Sequence, residues 1–353
     1  MSLSEQLLSG KTIPGHWYTS QEIFDSEQKY IFSKMWNYAG SAHLLRNPGD
    51  YITCRVAGKV PVIVVRTEAG SLNAFVNVCR HRGSQIVLCE SGNRKSIQCH
   101  YHAWTWNLQG DLQSAPATNS DPKFMKSNYP LHPLTVEEWG PFVFVSLLEA
   151  PQSFASQMDG LPEAISEIGI DLMSLKHHRQ MRYEIHANWK LTIDNYLECY
   201  HCPVAHPELV KIVRMDDYEV TPYAYHSVQR CTLKGAEMAD ADKKLRGAGS
   251  YLWPNFTINI YPGIVNVSST VYEPISPNKT LAIYDIYFPE GVTESDKDSV
   301  VDFLDQVQKE DTALCEAVQR GCASGYYEQG QLVLAKENGV QHFQRLVHDA
   351  LAA

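Results

Sequence analysis

The sequence predicts an α+β protein in which a compact β module is set into a larger mixed domain. Three observations predict it. From about Pro48 to Leu148 the chain reads as short β-like runs broken by turn residues. Beyond residue 150 the strand-like runs lengthen, as in NFTINIYPGIVNVSSTVYEP and KTLAIYDIYF. Between and after them lie helical patterns, near Asn188 to Cys202 and from about Glu294 to Arg320. With 353 residues, 44% of them hydrophobic, the chain has enough apolar material for two cores. The expected division is an N-terminal segment 1–40, a β domain 41–150 and a mixed domain 151–353.

In order, a polar tail leads into a helix over about Ser20 to Trp36, with Phe24, Tyr30, Ile31, Phe32 and Met35 as its apolar positions. Ala57-Gly58 and Ala69-Gly70 punctuate the following runs as hairpin turns do. A polar stretch from Glu149 to Met158 separates this module from the rest. The net charge of −10 repels phosphate, and no Lys/Arg cluster marks a nucleic-acid or anionic-lipid surface. No basic patch is followed by an apolar core near the N-terminus, and the longest apolar run, Phe142 to Leu148, is too short to span a bilayer. The expectation is a cytoplasmic chain with no membrane or nucleic-acid partner. Nine cysteines without a secretory leader argue against a disulfide framework, and Cys54, Cys89 and Cys231 read as structural.

Chemistry concentrates in two places. In the β module, Cys79-Arg80-His81 is followed after 17 residues by Cys99-His100-Tyr101-His102. Each loop offers one thiolate and one imidazole. Zinc knuckles pair Cys with Cys and His with His, whereas mixed loops suit a two-iron cluster with both Cys on one iron and both His on the other. That is the Rieske [2Fe–2S] arrangement, in which His₂ replaces Cys₂ on one iron and raises the potential. Gly83 and Gly110 suit tight turns, and Trp104 and Trp106 could shield the site.

The second place is the stretch Asn188 to His206. Asp194, Glu198 and His201 fall at i, i+4 and i+7, one face of a helix. A carboxylate three residues before a histidine can accept its second ring N–H, and Asp194 is expected to lend similar support. His201 and His206 would diverge by about 140° on an unbroken helix. Pro203 lies between them and can break it, letting both share a metal. Two histidines and a carboxylate make a facial triad for Fe(II). In the last helix Val300, Leu304, Val307, Leu314 and Val318 form an apolar stripe, and Asp311 falls in its gap. A carboxylate there is costly unless paired or metal-bound, so it either completes the triad or pairs with a buried Arg or caps another element. Asp305, Glu310 and Glu316 read as a solvated face, and Cys199 and Cys202 as core or site lining.

Over essentially its whole length the chain resembles the α subunits of Rieske non-haem iron oxygenases. The NVCRHRGS and CHYHAWTWNLQGDL loops, the NWKLTIDNYLECYHCPVAHPEL segment and EDTALCEAVQRG occur in the family's order. The resemblance implies a Rieske β-sandwich plus a helix-grip-like catalytic domain. Cys79, His81, Cys99 and His102 would hold the cluster; His201, His206 and Asp311 would hold the mononuclear Fe(II). Glu198 matches a carboxylate, often Asp in the family, that bridges protomers from a cluster histidine, here His102, to an iron histidine. The resemblance also implies a homotrimer using O2 and NAD(P)H electrons delivered by a reductase (flavin and plant-type [2Fe–2S]) or a ferredoxin.

The Glu-Cys-Tyr-His-Cys run is similar to the branch oxidising choline, betaine, stachydrine and carnitine. The expected substrate is therefore a small quaternary ammonium or N-methyl compound, hydroxylated beside nitrogen. Tyr196, Tyr200, Tyr251, Trp253 and Tyr261 are available for a cation–π cage or as ordinary pocket wall; Tyr200, Tyr251 and Trp253 are the expected substrate contacts. Two alternatives stand beside this reading: a ring hydroxylase acting on an aromatic acid, and a Rieske electron carrier without oxygenase activity.

Overall fold

A computed structural model of the chain describes residues 1–234, 246–261 and 264–352. It forms two compact units, Phe32–Phe154 and Met1–Ile31 with Ala155–Ala353.

In the first unit a seven-stranded sheet runs in the order Asn37–Ser41, Phe142–Ser146, Pro133–Trp139, Leu72–Val76, Val60–Arg66, Asp50–Val56 and Ser91–Asn93. Both expected hairpins are present: Val56 pairs with Val60 across Ala57-Gly58, and Arg66 with Leu72 across Ala69-Gly70. The interior strand Val60–Arg66 buries Val62, Ile63, Val64 and Val65 consecutively, as a strand covered on both faces must. A three-stranded sheet of Ile97–Gln98, Thr105–Trp106 and Leu112–Ser114 packs against it. Tyr51, Ile63 and Phe75 from one sheet meet Ile97, Trp106 and Leu112 from the other in one core, which also encloses Cys79 and Cys99. This is the β-sandwich the resemblance implied.

The strand Asn37–Ser41 belongs to this sandwich, so the helix expected to reach Trp36 stops earlier. It spans Gln21–Glu27 and loosens into a π turn at Gln28–Phe32. The Asn37 amide then donates to the Phe32 and Met35 carbonyls, both at 2.8 Å, satisfying groups that the helix has released.

The second unit is built on a seven-stranded antiparallel sheet in the order Lys176–Ile185, Lys279–Phe288, Val267–Ser276, Phe256–Ile260, Arg246–Leu252, His226–Thr232 and Glu219–Pro222. The long helix Glu294–Ala323 packs on it through Val301 and Leu304 against Ile286 and Phe288. Its buried positions are Val301, Leu304, Gln308, Cys315, Gln319 and Cys322, while Leu314 and Val318 of the expected stripe are exposed. The true stripe is half polar, which hid it. Gln308 hydrogen-bonds Tyr284 and Thr312; Gln319 accepts from the Asn188 N–H at 2.9 Å. Asp311 continues this stripe, three residues after Gln308 and four before Cys315. A further helix, Leu334–Ala352, follows the one expected to be last.

The short helix Trp189–Tyr196 leads into the site, and a buried cluster fixes its start. Lys190 pairs with Glu27 and donates to Asn188 Oδ1 at 2.8 Å, and Trp189 Nε1 donates to Glu27 at 2.7 Å. Both charges of the pair are fully buried, which is tolerable only because the remaining hydrogen-bonding capacity is used.

Candidate active site and metal centres

The two cluster loops share one backbone frame. Cys79 N–H donates to Ser84 O at 2.8 Å and Gly83 N–H returns to Cys79 O at 3.0 Å. Cys99 N–H likewise donates to Trp104 O at 2.9 Å and Ala103 N–H returns to Cys99 O at 3.1 Å. The fifth residue of each loop is left-handed: Gly83 at φ +74° and Ala103 at φ +57°. Glycine adopts that conformation freely; alanine pays for it with strain of about 1 kcal/mol, and the loop is closed regardless.

This frame turns the two cysteines inward and the two histidines outward. Cys79 and Cys99 are buried, whereas His81 and His102 are exposed with ring centroids 4.7 Å apart. Burial raises the Cys79 thiol, and its neighbour Cys99 raises it further. Trp104 stacks on His81 at 5.0 Å and Tyr101 lies 3.8 Å from His102. Inner sulfur and outer imidazole suit the donor set of a Rieske cluster, whose histidine-bound iron faces outward.

In the second unit the helix leading into the site ends at Tyr196, with Leu197 as its C-cap, instead of continuing to Cys202. Glu198 causes the early end. Its carboxylate captures the Tyr200 and His201 backbone N–H groups, offering them a local alternative to the helical ladder. Glu198 and His201 therefore stand on a bend, and Pro203 sits in the first turn of the next helix, Cys202–Ala205, where its missing N–H costs nothing. The same bend brings Cys199 and Cys202 to a Cα separation of 5.0 Å, and they form a disulfide instead of remaining free.

The bend converges three candidate ligand atoms. His201 Nε2 and His206 Nε2 are 3.1 Å apart; Asp311 Oδ1 lies 3.0 Å from His206 Nε2 and 3.4 Å from His201 Nε2. Ligands about 2.1 Å from a metal and at right angles to one another stand about 3 Å apart, so the three atoms fit one face of an octahedron. Cys202 Sγ lies 3.8 Å from His201 Nε2, but disulfide bonding removes it as a thiolate donor. Each imidazole is oriented from behind: His201 Nδ1 pairs with Glu198, and His206 Nδ1 with Glu310 Oε2 at 2.7 Å. Burial works against charge on His201, yet hydrogen bonds to Asp311 and Glu198 push it up to about 9. Burial works against the Asp311 anion too, and the two histidines hold its pKa below the usual range. Three carboxylates around two imidazoles make a site that favours a cation.

Glu310 is thus no solvated residue. Glu310→Gln replaces an anionic acceptor by a neutral one and should weaken iron binding about 10- to 100-fold. Competition with a chelator would measure this, and an unchanged affinity would remove Glu310 as the His206 anchor.

Asp194 faces away from the histidines. It accepts from Tyr18 Oη at 2.6 Å and from Gln344 Nε2 at 3.1 Å. Burial pushes its carboxyl up to about 7 despite those bonds and nearby Lys190. A carboxyl raised on folding binds its proton more tightly in the native state, so stability falls as pH rises from about 4 to about 7. Asp194→Asn should flatten that fall, by on the order of a few kcal/mol, in urea unfolding at pH 5 and pH 8. Parallel pH profiles for the two proteins would refute the assignment.

A cavity of about 130 Å³ opens beside the three ligand atoms, with Tyr196, Tyr218, Gln229, Asn259 and Tyr261 in its wall. Of the expected substrate contacts, none lines it. Tyr200 is 57% exposed, while Tyr251 and Trp253 are buried against Phe343, with Tyr251 Oη donating to Pro254 O at 2.7 Å. Tyr218, Gln229 and Asn259 lie on separate strands or turns, and only the folded register brings them together.

The Ring hydroxylating alpha subunit (catalytic domain) family matches residues 172–353, and the Rieske [2Fe-2S] domain family residues 35–133. The carnitine monooxygenase oxygenase subunit of Acinetobacter baumannii is 35% identical over 95% of this chain and 94% of its own. The chain belongs to the Rieske ring-hydroxylating oxygenases. As such it is an oxidoreductase subunit of a family that combines a [2Fe–2S] cluster with a mononuclear non-haem iron. The chloroplastic choline monooxygenase of Arabidopsis thaliana is 32% identical over 96% of this Rieske oxygenase and 83% of its own length. The quaternary ammonium Rieske monooxygenase CntA, solved with L-carnitine, superimposes with a TM-score of 0.87 at 33% identity, over 98% of this chain and 97% of that one. Naphthalene 1,2-dioxygenase from Rhodococcus sp. shares the fold, with a TM-score of 0.84 at 19% identity over 99% and 98% of the two chains. No described helix is long and apolar enough to cross a membrane.

Proposed function

We propose that this chain is the terminal oxygenase of a reductase-coupled system that hydroxylates a C–H beside nitrogen in a small quaternary ammonium or N-methyl compound. When bound, the Rieske cluster supplies single electrons and the mononuclear iron activates O2. Cys79, His81, Cys99 and His102 hold the former; His201, His206 and Asp311 hold the latter. In a homotrimer, Glu198 joins His201 to the partner subunit's His102. A reductase or ferredoxin partner draws on NAD(P)H.

The cavity wall carries the substrate class. Its charged groups besides the histidines are the carboxylates of Glu198 and Asp311, joined by the phenol rings of Tyr196, Tyr218 and Tyr261. Among the described lining residues there is no Lys or Arg. Aromatic faces and carboxylates favour a cation, whereas an aromatic acid calls for a cationic partner. The named activities of the carnitine and choline monooxygenase relatives point the same way. The test is NAD(P)H- and O2-dependent product formation with a compatible reductase, over a panel of quaternary ammonium compounds and aromatic acids. Consumption of a quaternary compound, inhibited competitively by tetramethylammonium, is expected. Turnover confined to aromatic acids would overturn the assignment.

A further inference from the structure

One row of the catalytic sheet is organised around a missing side chain. Gln229, Gly249 and Asn259 stand opposite one another on three adjacent strands. A Cβ on Gly249 would lie 2.9 Å from both Gln229 Oε1 and Tyr196 Oη, and 3.3 Å from Asn259 Oδ1. The space that glycine leaves is filled by the Tyr196 hydroxyl, which donates to Asn259 Oδ1 at 2.8 Å. On the other side Gln229 Oε1 accepts from Tyr218 Oη at 2.6 Å, and its Nε2 donates to the Tyr196 carbonyl at 2.8 Å.

The consequence is an oriented amide. Asn259 has committed its oxygen to Tyr196, so its Nδ2 is left on the cavity side with no hydrogen-bond partner among the described residues. Two residues further on, Tyr261 also lines the cavity, and its hydroxyl has no partner among the described residues either. Burial, with Tyr284 and Asp311 nearby, raises the Tyr261 phenol well above its ordinary value and keeps it protonated, so that its oxygen can accept a hydrogen as well as donate one. Asn259 belongs to the strand Phe256–Ile260 and Tyr261 follows directly on its end; both line the one cavity, so both groups face the same occupant.

We infer that Asn259 and Tyr261 bind the polar end of the substrate and select an uncharged hydroxyl over a carboxylate. The inference rests on the quaternary ammonium reading above and narrows it to amino alcohols. A hydroxyl both accepts and donates, which matches an amide N–H beside a phenol. A carboxylate is held best by charged donors, and the described wall offers none while already carrying Glu198 and Asp311. With iron bound Asp311 is offset by the metal, so Glu198 is the like charge that disfavours a zwitterion's acidic end.

Calorimetry on iron-loaded protein without O2 tests this with three probes sharing one head group: tetramethylammonium, choline and glycine betaine. Choline should bind at least about tenfold more tightly than either of the others, the discrimination of one well-made hydrogen-bonding site. Asn259→Leu and Tyr261→Phe should each weaken choline about 5- to 20-fold and leave tetramethylammonium within about twofold. Tyr261→Phe deletes only one oxygen, so it carries the test even if Asn259→Leu disturbs Tyr196. Betaine binding as tightly as choline, or choline binding unchanged in Tyr261→Phe, overturns the selection while leaving the cation reading in place. Failure of all three probes to bind, beside a bound aromatic acid, overturns both.

Discussion

Asp311→Ala should leave the chain with about two irons instead of about three, an unchanged Rieske spectrum, and turnover reduced by about a thousandfold or more. Three effects add. The substitution removes one of three converging donors and the only anionic one among them. It removes the group that holds both Nε2 atoms at a common point. It also withdraws the charge that favours a cation between His201 and His206, since Asp311 pairs with both. The Rieske loops lie in the other compact unit, with their own core and backbone frame, so their absorbance and EPR signals should not change. Iron analysis with EPR of the reduced protein reads both sites in one sample. A variant that keeps its third iron would remove Asp311 from the ligand set.

The candidate ligand residues were legible in sequence because a metal demands particular atoms at short spacing. Cys79-x-His81 and Cys99-x-x-His102 state their donors outright. Their shared frame was half visible: Gly83 announces a left-handed turn, but Ala103 does not. His201 and His206 are readable as a pair, but the bend that joins them arises from Glu198, ahead of Pro203. A side chain that captures its own downstream amides looks in sequence like any helical glutamate.

What the sequence hid was mostly polar burial. Gln308 and Gln319 occupy core positions of the Glu294–Ala323 helix, so the apolar residues alone trace a stripe displaced by about one position from the buried one. The spacing Leu304, Gln308, Asp311, Cys315, Gln319, Cys322 keeps an unbroken three-and-four rhythm, the signal that could have revealed it. Glu310 beside it has a solvated helix neighbour's appearance, and only the position of His206 shows its use. The cavity was the least readable part. Gln229, Gly249 and Asn259 are brought into line by strand register, which is set by pairing over distances that local pattern does not encode.

Glu198→Gln should retain both metals yet slow electron delivery to the mononuclear site by about a hundredfold or more. The wild-type carboxylate accepts three hydrogens at once: two backbone N–H groups of the bend and the His201 Nδ1 proton. Glutamine has one acceptor oxygen, so its NH2 must face one of those donors. It also lacks the charge that supports a more basic His201 and, in the proposed trimer, receives the N–H of the partner subunit's His102. Stopped-flow mixing of reduced, substrate-loaded protein with O2 reads cluster reoxidation directly, apart from reductase docking and product release. Glu198→Asp separates charge from reach: it restores the anion but shortens the arm by one methylene. A rate between those of wild type and Glu198→Gln would assign part of the effect to each. If Glu198→Gln reoxidises its cluster at the wild-type rate, the carboxylate is a support for the bend and electrons reach the iron by another path.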